Sequence, residues 1–144
     1  NYLMQHHVPK RIGSLHPNIA PYGELFTTAD GRIITFAIGS QRHFELLCEL
    51  TELTDLYTDL RFSNNVKRVE NRGILQVLLQ QALGGMNYNE ISTFCTTNHL
   101  PMGLVNDLEQ VFHTEQARSL VRTENIAGIQ TKRVSQIAFR LKHD

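Results

Sequence analysis

The sequence predicts an α+β fold, a β-hairpin or small sheet packed on several helices and flanked by linker arms. Three observations predict it. Asp30-Gly31 lies between two β-prone runs, a short-range hairpin marker. Apolar residues recur at helical spacing after Ser40 and again between positions 66 and 83. Clusters of Gly, Pro, Asn and Ser separate these runs at the points where regular structure has to stop.

In chain order, Asn1-Tyr2-Leu3-Met4 reads as the end of a helix. Residues 8–21 hold three of the four prolines, Pro9, Pro17 and Pro21, with Gly13 and Ser14. Proline lacks a backbone donor and fixes φ, so this stretch is an ordered loop or linker. Residues 22–28 then lead through Ala29-Asp30-Gly31 into a second strand over 32–38. Ser40 caps a helix that carries Phe44, Leu47, Cys48 and Leu50 on one face. A short segment over 53–57 and a turn over 59–65 follow. One long helix is expected over 66–83, with Val69, Ile74, Val77, Leu78 and Leu83 inward and Gly84-Gly85 closing it. Asn87 to Glu90 forms a capping box for a helix burying Ile91, Phe94 and Cys95. Residues 100–105 are extended. Asn106 or Asp107 caps a short helix ending near Phe112, and Thr114 starts another turn. Two weak strands, 120–124 and 129–134, complete the pattern.

Composition narrows the function. A chain of 144 residues suits one compact domain, with or without arms, and 41% hydrophobic residues can build its core. Fourteen Lys+Arg balance fourteen Asp+Glu, and basic residues adjoin only at Lys10-Arg11, Lys67-Arg68 and Lys132-Arg133. Without a basic stripe, extended contact with nucleic acid is not expected, while a small anionic ligand needs only one or two cations. Cys48 and Cys95 stand outside any CxxC pair, which points to a reducing compartment, read as cytoplasmic, and to buried thiols. No apolar run has membrane-spanning length and no signal peptide is visible, so no membrane partner is expected. An opening at Asn1 rather than methionine suggests a piece of a longer protein.

Candidate chemistry is sparse. The seven histidines, among them the adjacent His6-His7 and the scattered His16, His43, His99, His113 and His143, show no HxxxH or HExxH spacing. No metal site is expected. Cys48 and Cys95 fall on apolar helix faces, which favours packing over nucleophilic work. No GxSxG, P-loop or GxGxxG pattern occurs. Arg61, Arg68 and Arg72 could meet a phosphate, but holding a turn to neighbouring carboxylates explains the same cluster better. The densest stretch is Gly13-Ser14-Leu15-His16-Pro17-Asn18-Ile19-Ala20-Pro21-Tyr22. Residue types alone leave it open as a rigid turn into the hairpin or as a functional loop.

An ordered set of blocks resembles the family III (CaiB/BaiF-type) CoA-transferases. They are Gly13-x-x-His16-Pro17-Asn18-Ile19-x-Pro21-Tyr22, Phe26-x-Thr28-x-Asp30-Gly31 and Phe44-x-x-Leu47-Cys48. Asp59-x-Arg61-Phe62-x-x-Asn65, Arg68-Val69, Asn71-Arg72, Pro101-x-Gly103-x-Val105-Asn106, Val111-Phe112 and Gln116 follow, so the resemblance covers about residues 1–140.

The resemblance implies an acyl-CoA:carboxylic acid CoA-transferase, an interlocked homodimer of large Rossmann-like and small domains joined by long linkers. In that chemistry an aspartate attacks the acyl-CoA thioester to give a mixed anhydride. The CoA thiolate then forms an aspartyl thioester, which the acceptor acid resolves. CoA thioester is the substrate, with no tightly bound cofactor. The aspartate belongs to the large domain, and none of Asp30, Asp55, Asp59, Asp107 or Asp144 matches it. This chain is expected to supply no catalytic residue and to be inactive alone.

On this view residues 1–21 end a large-domain helix and form a linker with the active-site loop. Residues 22–124 are the small domain, and 125–144 begin the return linker. The apolar groups of Tyr2, Leu3, Met4, Ile137, Phe139 and Leu141 would then pack on the large domain. Gly13, Ser14, Leu15, His16 and Pro17 occupy the place of a glycine-rich loop that closes over acyl intermediates, and are the expected substrate-binding residues. Ser14, Leu15 and His16 depart from the glycine-rich form, and Thr114-Glu115 stands where Asp-Pro is common. The same resemblance admits an acyl-CoA racemase or epimerase. A non-catalytic interaction module is the alternative from another class.

Overall fold

The computed structural model describes residues 2–6, 8 and 10–134, and Ile137, Phe139 and Leu141 lie outside them. The chain divides into two compact units, Asn1–Val105 and Asn106–Asp144.

In the first unit, α1 (Tyr2–Gln5) is a single turn, with Leu3 and Met4 exposed. The hairpin of β1 (Tyr22–Thr27) and β2 (Ile33–Ala37) forms where the Asp-Gly turn predicts it. β3 (Met102–Val105) adds antiparallel to β2, pairing Phe36 with Met102 and Ile34 with Leu104, so the sheet order is β1-β2-β3. Alternation sends Phe26, Ile34 and Phe36 to one face, where they are buried, and leaves Leu25 and Ile33 on the other, exposed. Phe26 and Phe36 meet edge-on with centroids 6.0 Å apart.

Helices cover the buried face. In α2 (Gln41–Leu50) the Ser40 side chain accepts from the His43 amide, and Phe44, Leu47 and Cys48 point into the core. A 3-10 turn, Thr54–Tyr57, follows. The expected long helix is two helices, α3 (Asn65–Glu70) and α4 (Arg72–Leu83). Asn71, at φ −106° and ψ 21°, leaves helical geometry between them, while its amide still donates to Lys67 O and its carbonyl accepts the Leu75 amide. The buried stripe keeps one helical phase across it, Arg68 in α3 and Leu75, Leu79 and Leu83 in α4, whereas Ile74 and Val77, expected inward, are exposed.

α5 (Tyr88–Asn98) starts with the capping box of Asn87 and Glu90 and buries Ile91 and Cys95. Each large side chain so buried contributes roughly 1.5–3 kcal/mol. From α4, Gln80 accepts the Thr27 amide at Oε1 and donates Nε2–H to the Thr27 carbonyl, both at 2.9 Å.

The second unit holds α6 (Leu108–His113) and α7 (Glu115–Leu120), capped by Asp107 and Thr114. The hairpin of β4 (Val121–Ile126) and β5 (Ile129–Val134) follows and continues through position 124. Its two-residue turn, Ala127-Gly128, has φ of 51° and 84°, as the twist of such hairpins requires. No described residue of this unit is buried.

Candidate functional site

The loop that the sequence singles out docks on the start of β1, and a glycine makes the approach possible. Gly23 has φ +86°, and a Cβ built there would lie 2.0 Å from the Ser14 carbonyl oxygen. The β1–β2 register shifts between Tyr22 and Leu25, a bulge that turns Gly23 toward the loop. Across this contact the Ser14 hydroxyl donates to the Gly23 carbonyl at 2.7 Å, and the His16 amide donates to Tyr22 O at 2.9 Å. Gly13, with φ +71° and open space around it, is the point where the backbone can pivot.

His16 is half-buried, its ring tilted against Tyr22 with centroids 5.2 Å apart. Its Nδ1 accepts the Asn18 amide at 3.2 Å. In the neutral imidazole this places the proton on Nε2, which becomes a donor. Gly13, Ser14 and Pro17 are exposed and Leu15 is half-buried. The five expected residues thus form one continuous ledge carrying one titratable ring.

Residues just beyond Pro17 are held by side chains from α3 and α4. Asn65 accepts the Ala20 amide at 3.2 Å and donates to Asn18 O at 2.7 Å. Arg68, 3% exposed, donates to Ala20 O, Phe62 O and Gln41 Oε1 and lies 4.3 Å above the Phe44 ring. Burial lowers its pKa from the ordinary arginine value. Arg72 Nη2 donates to His16 O at 2.6 Å and Ile19 O at 2.7 Å. Arg72 Nη1 stands 3.1 Å from Oε1 of Glu24, off the angle of a hydrogen bond, and Glu24 is 2% exposed. Breaking a buried pair of this kind by removing one member costs about 3–5 kcal/mol.

The three arginines therefore hold turns, but through carbonyls more than carboxylates. Only Arg61 takes a neighbouring carboxylate as its main partner, Asp59 at 2.7 Å, and its hydrogen bonds hold the Asp59 carboxyl below the ordinary range. Cys48 and Cys95 are buried, and burial pushes their thiols up to about 12 and about 11. Among the described residues no three His, Cys, Asp or Glu side chains gather as metal ligands would. No described helix is long and apolar enough to cross a membrane.

Gly23, Glu24 and Asn65 escape a reading by residue type. A glycine inside a strand signals a bulge or close backbone approach, which would have found Gly23. Glu24 shares the two-residue phase of Phe26, so it faces the core, and a buried carboxylate requires a cation.

The site is a ledge of loop backbone built on a small antiparallel sheet. Residues 1–143 match the sequence pattern of CoA-transferase family III, and the chain belongs to that family. It is 33% identical over 119 residues to the succinate–glutarate CoA-transferase of Agrobacterium fabrum, covering 83% of this chain and 29% of that protein. To the succinyl-CoA:glutarate CoA-transferase of Mus musculus it is 30% identical over 116 residues, covering 81% and 26%. A solved CaiB/BaiF family protein from Brucella suis superposes with a TM-score of 0.78 at 28% identity, over 97% of this chain and 36% of that one. The chain thus spans under a third of the curated relatives' length.

Proposed function

We propose that the chain is the small domain of a longer acyl-CoA:carboxylic acid CoA-transferase, and that residues 13–17 cover the reacting groups. Succinyl-CoA and a C4–C5 dicarboxylic acid are the donor and acceptor this reading favours, by analogy with the Agrobacterium and mouse relatives. The attacking aspartate is supplied by the large domain, within an interlocked homodimer, and the cytoplasm is the expected compartment.

The observation that carries the reading is the loop itself. It has a free pivot at Gly13, a fixed base from His16 to Ala20, and a ring whose Nε2–H is available between them. Mixed anhydrides and thioesters hydrolyse readily, so a cover over them excludes water. The His16 Nε2–H donates to an acyl or carboxylate oxygen, where negative charge gathers during attack.

The test compares transfer from succinyl-CoA to glutarate with succinyl-CoA hydrolysis in the full-length enzyme. Gly13→Val and His16→Ala should each lower transfer about tenfold or more and raise the ratio of hydrolysis to transfer. His16→Ala should keep a melting temperature near wild type, whereas Gly13→Val, a β-branched residue forced to φ +71°, should melt lower, so the ratio and not the rate decides for it. An unchanged ratio in both variants rejects the cover. The 144-residue chain assayed alone should give no turnover above a heat-killed control.

A further inference from the structure

Glu24 and Arg72 belong to no block of the candidate loop, yet their placement makes sense only through it. Glu24 is 2% exposed, and its Oε2 has no hydrogen-bond partner among the described residues. A carboxylate in that position is costly unless the cation beside it is needed. The cation is Arg72, the first residue of α4, and its second nitrogen reaches past Glu24 to two carbonyls of the loop. One of these is the carbonyl of His16 itself.

We propose that Arg72, fixed by Glu24, is a positioning residue that holds the His16 backbone so that the ring stays in the Nε2–H tautomer facing the substrate. The chain of contacts is continuous. Glu24 sets the guanidinium, the guanidinium sets the His16 and Ile19 carbonyls, and the peptide between them carries Asn18. Asn18 N–H then occupies His16 Nδ1 and leaves the proton on Nε2. The guanidinium meets both carbonyls through Nη2 while Nη1 keeps its charge beside Glu24. A lysine ammonium is a single nitrogen without that fork and would not hold both places in one geometry.

This inference rests on the reading of residues 13–17 as the substrate loop, but its test does not use CoA transfer. Nitrogen-15 NMR of the 144-residue chain reads the His16 tautomer directly, and hydrogen exchange reads protection of the Asn18 amide. Wild type should show a predominant Nε2–H form and a protected Asn18. Arg72→Lys should remain folded, shift His16 toward a tautomer mixture and speed Asn18 exchange about tenfold or more. Leu79→Ala, a core truncation that unsettles the fold without touching the loop, should leave the tautomer unchanged and so separates positioning from general loss of stability. If Arg72→Lys fails to fold, Glu24→Gln decides, with changes expected in the same direction. A folded Arg72→Lys, or failing that Glu24→Gln, with wild-type tautomer and Asn18 exchange overturns the proposal. A failed transfer assay leaves this outcome standing, and the reverse holds too.

Discussion

A thiol becomes a nucleophile only as thiolate, and the two in this chain are kept from it. Cys48 on α2 and Cys95 on α5 are 0% and 4% exposed, and burial carries them to about 12 and about 11. At about pH 8 the thiolate fraction is then roughly one in a thousand or less. A thiol reagent such as Ellman's should therefore label neither cysteine on the native chain except through slow opening, and both at once in denaturant. Prompt labelling of one thiol in native protein would contradict this placement. The position of these thiols is legible in the sequence, because helical spacing alone puts them beside Phe44, Leu47 and Ile91. Glu24 is less legible. Its strand phase points inward, but what makes burial tolerable is Arg72, a residue brought over by a later helix. Local pattern can say which way a side chain faces, not what meets it there.

Elements are joined by single polar groups as well as by apolar faces, and Asp30 is one such joint. Its Oδ1 accepts the Thr28 hydroxyl at 2.7 Å and the amide of Tyr88, the first residue of α5, at 2.9 Å. The Thr28 bond first, then the Tyr88 amide, favours the charged form and lowers the Asp30 pKa. A carboxyl whose pKa falls on folding adds stability that is present above its unfolded value of about 3.9 and disappears as pH falls through the folded value. Asp30→Asn should thus lower the melting temperature most near neutral pH, with the gap to wild type closing as pH falls below about 4. Thermal melts across that range check it, and a gap that stays constant into acid would exclude the carboxylate as its source. The turn and the helix start that Asp30 links are both legible, since Asp-Gly and the Asn87–Glu90 box are local signals. The break at Asn71 is not. Val69, Ile74 and Val77 make an apolar stripe beside the buried one, and only the structure shows that Arg68, Leu75 and Leu79 take the inward side.

At the scale of the molecule, burial is confined to one of the two units. Every buried side chain described lies before Val105, while α6, α7 and the β4–β5 hairpin bury none. Opening free energy follows local burial, so the two units should not open together. Native-state hydrogen exchange should show the β4–β5 amides exchanging at a lower free energy than those of α2 and α4. Equal protection in both units would refute an uneven distribution of stability. The dividing point is invisible to local pattern, because caps and strand signals read equally well on either side of Val105. The candidate site was legible mainly through its resemblance to a family, since residue types alone left the loop undecided.

Gln80 has a consequence for how the sheet can be extended. A side-chain amide carries the same donor and acceptor as a peptide, and that of Gln80 occupies Thr27 at one end of β1. His16 N–H takes the Tyr22 carbonyl at the other end, and the Ser14 hydroxyl takes that of Gly23. The outer edge of β1 is thereby closed by groups that imitate a strand without offering one to copy. The order β1-β2-β3 leaves β3 terminal on the other side of the sheet. An added strand, from a peptide or from another copy of the chain, would meet these groups at β1 and have to displace them before it could pair there.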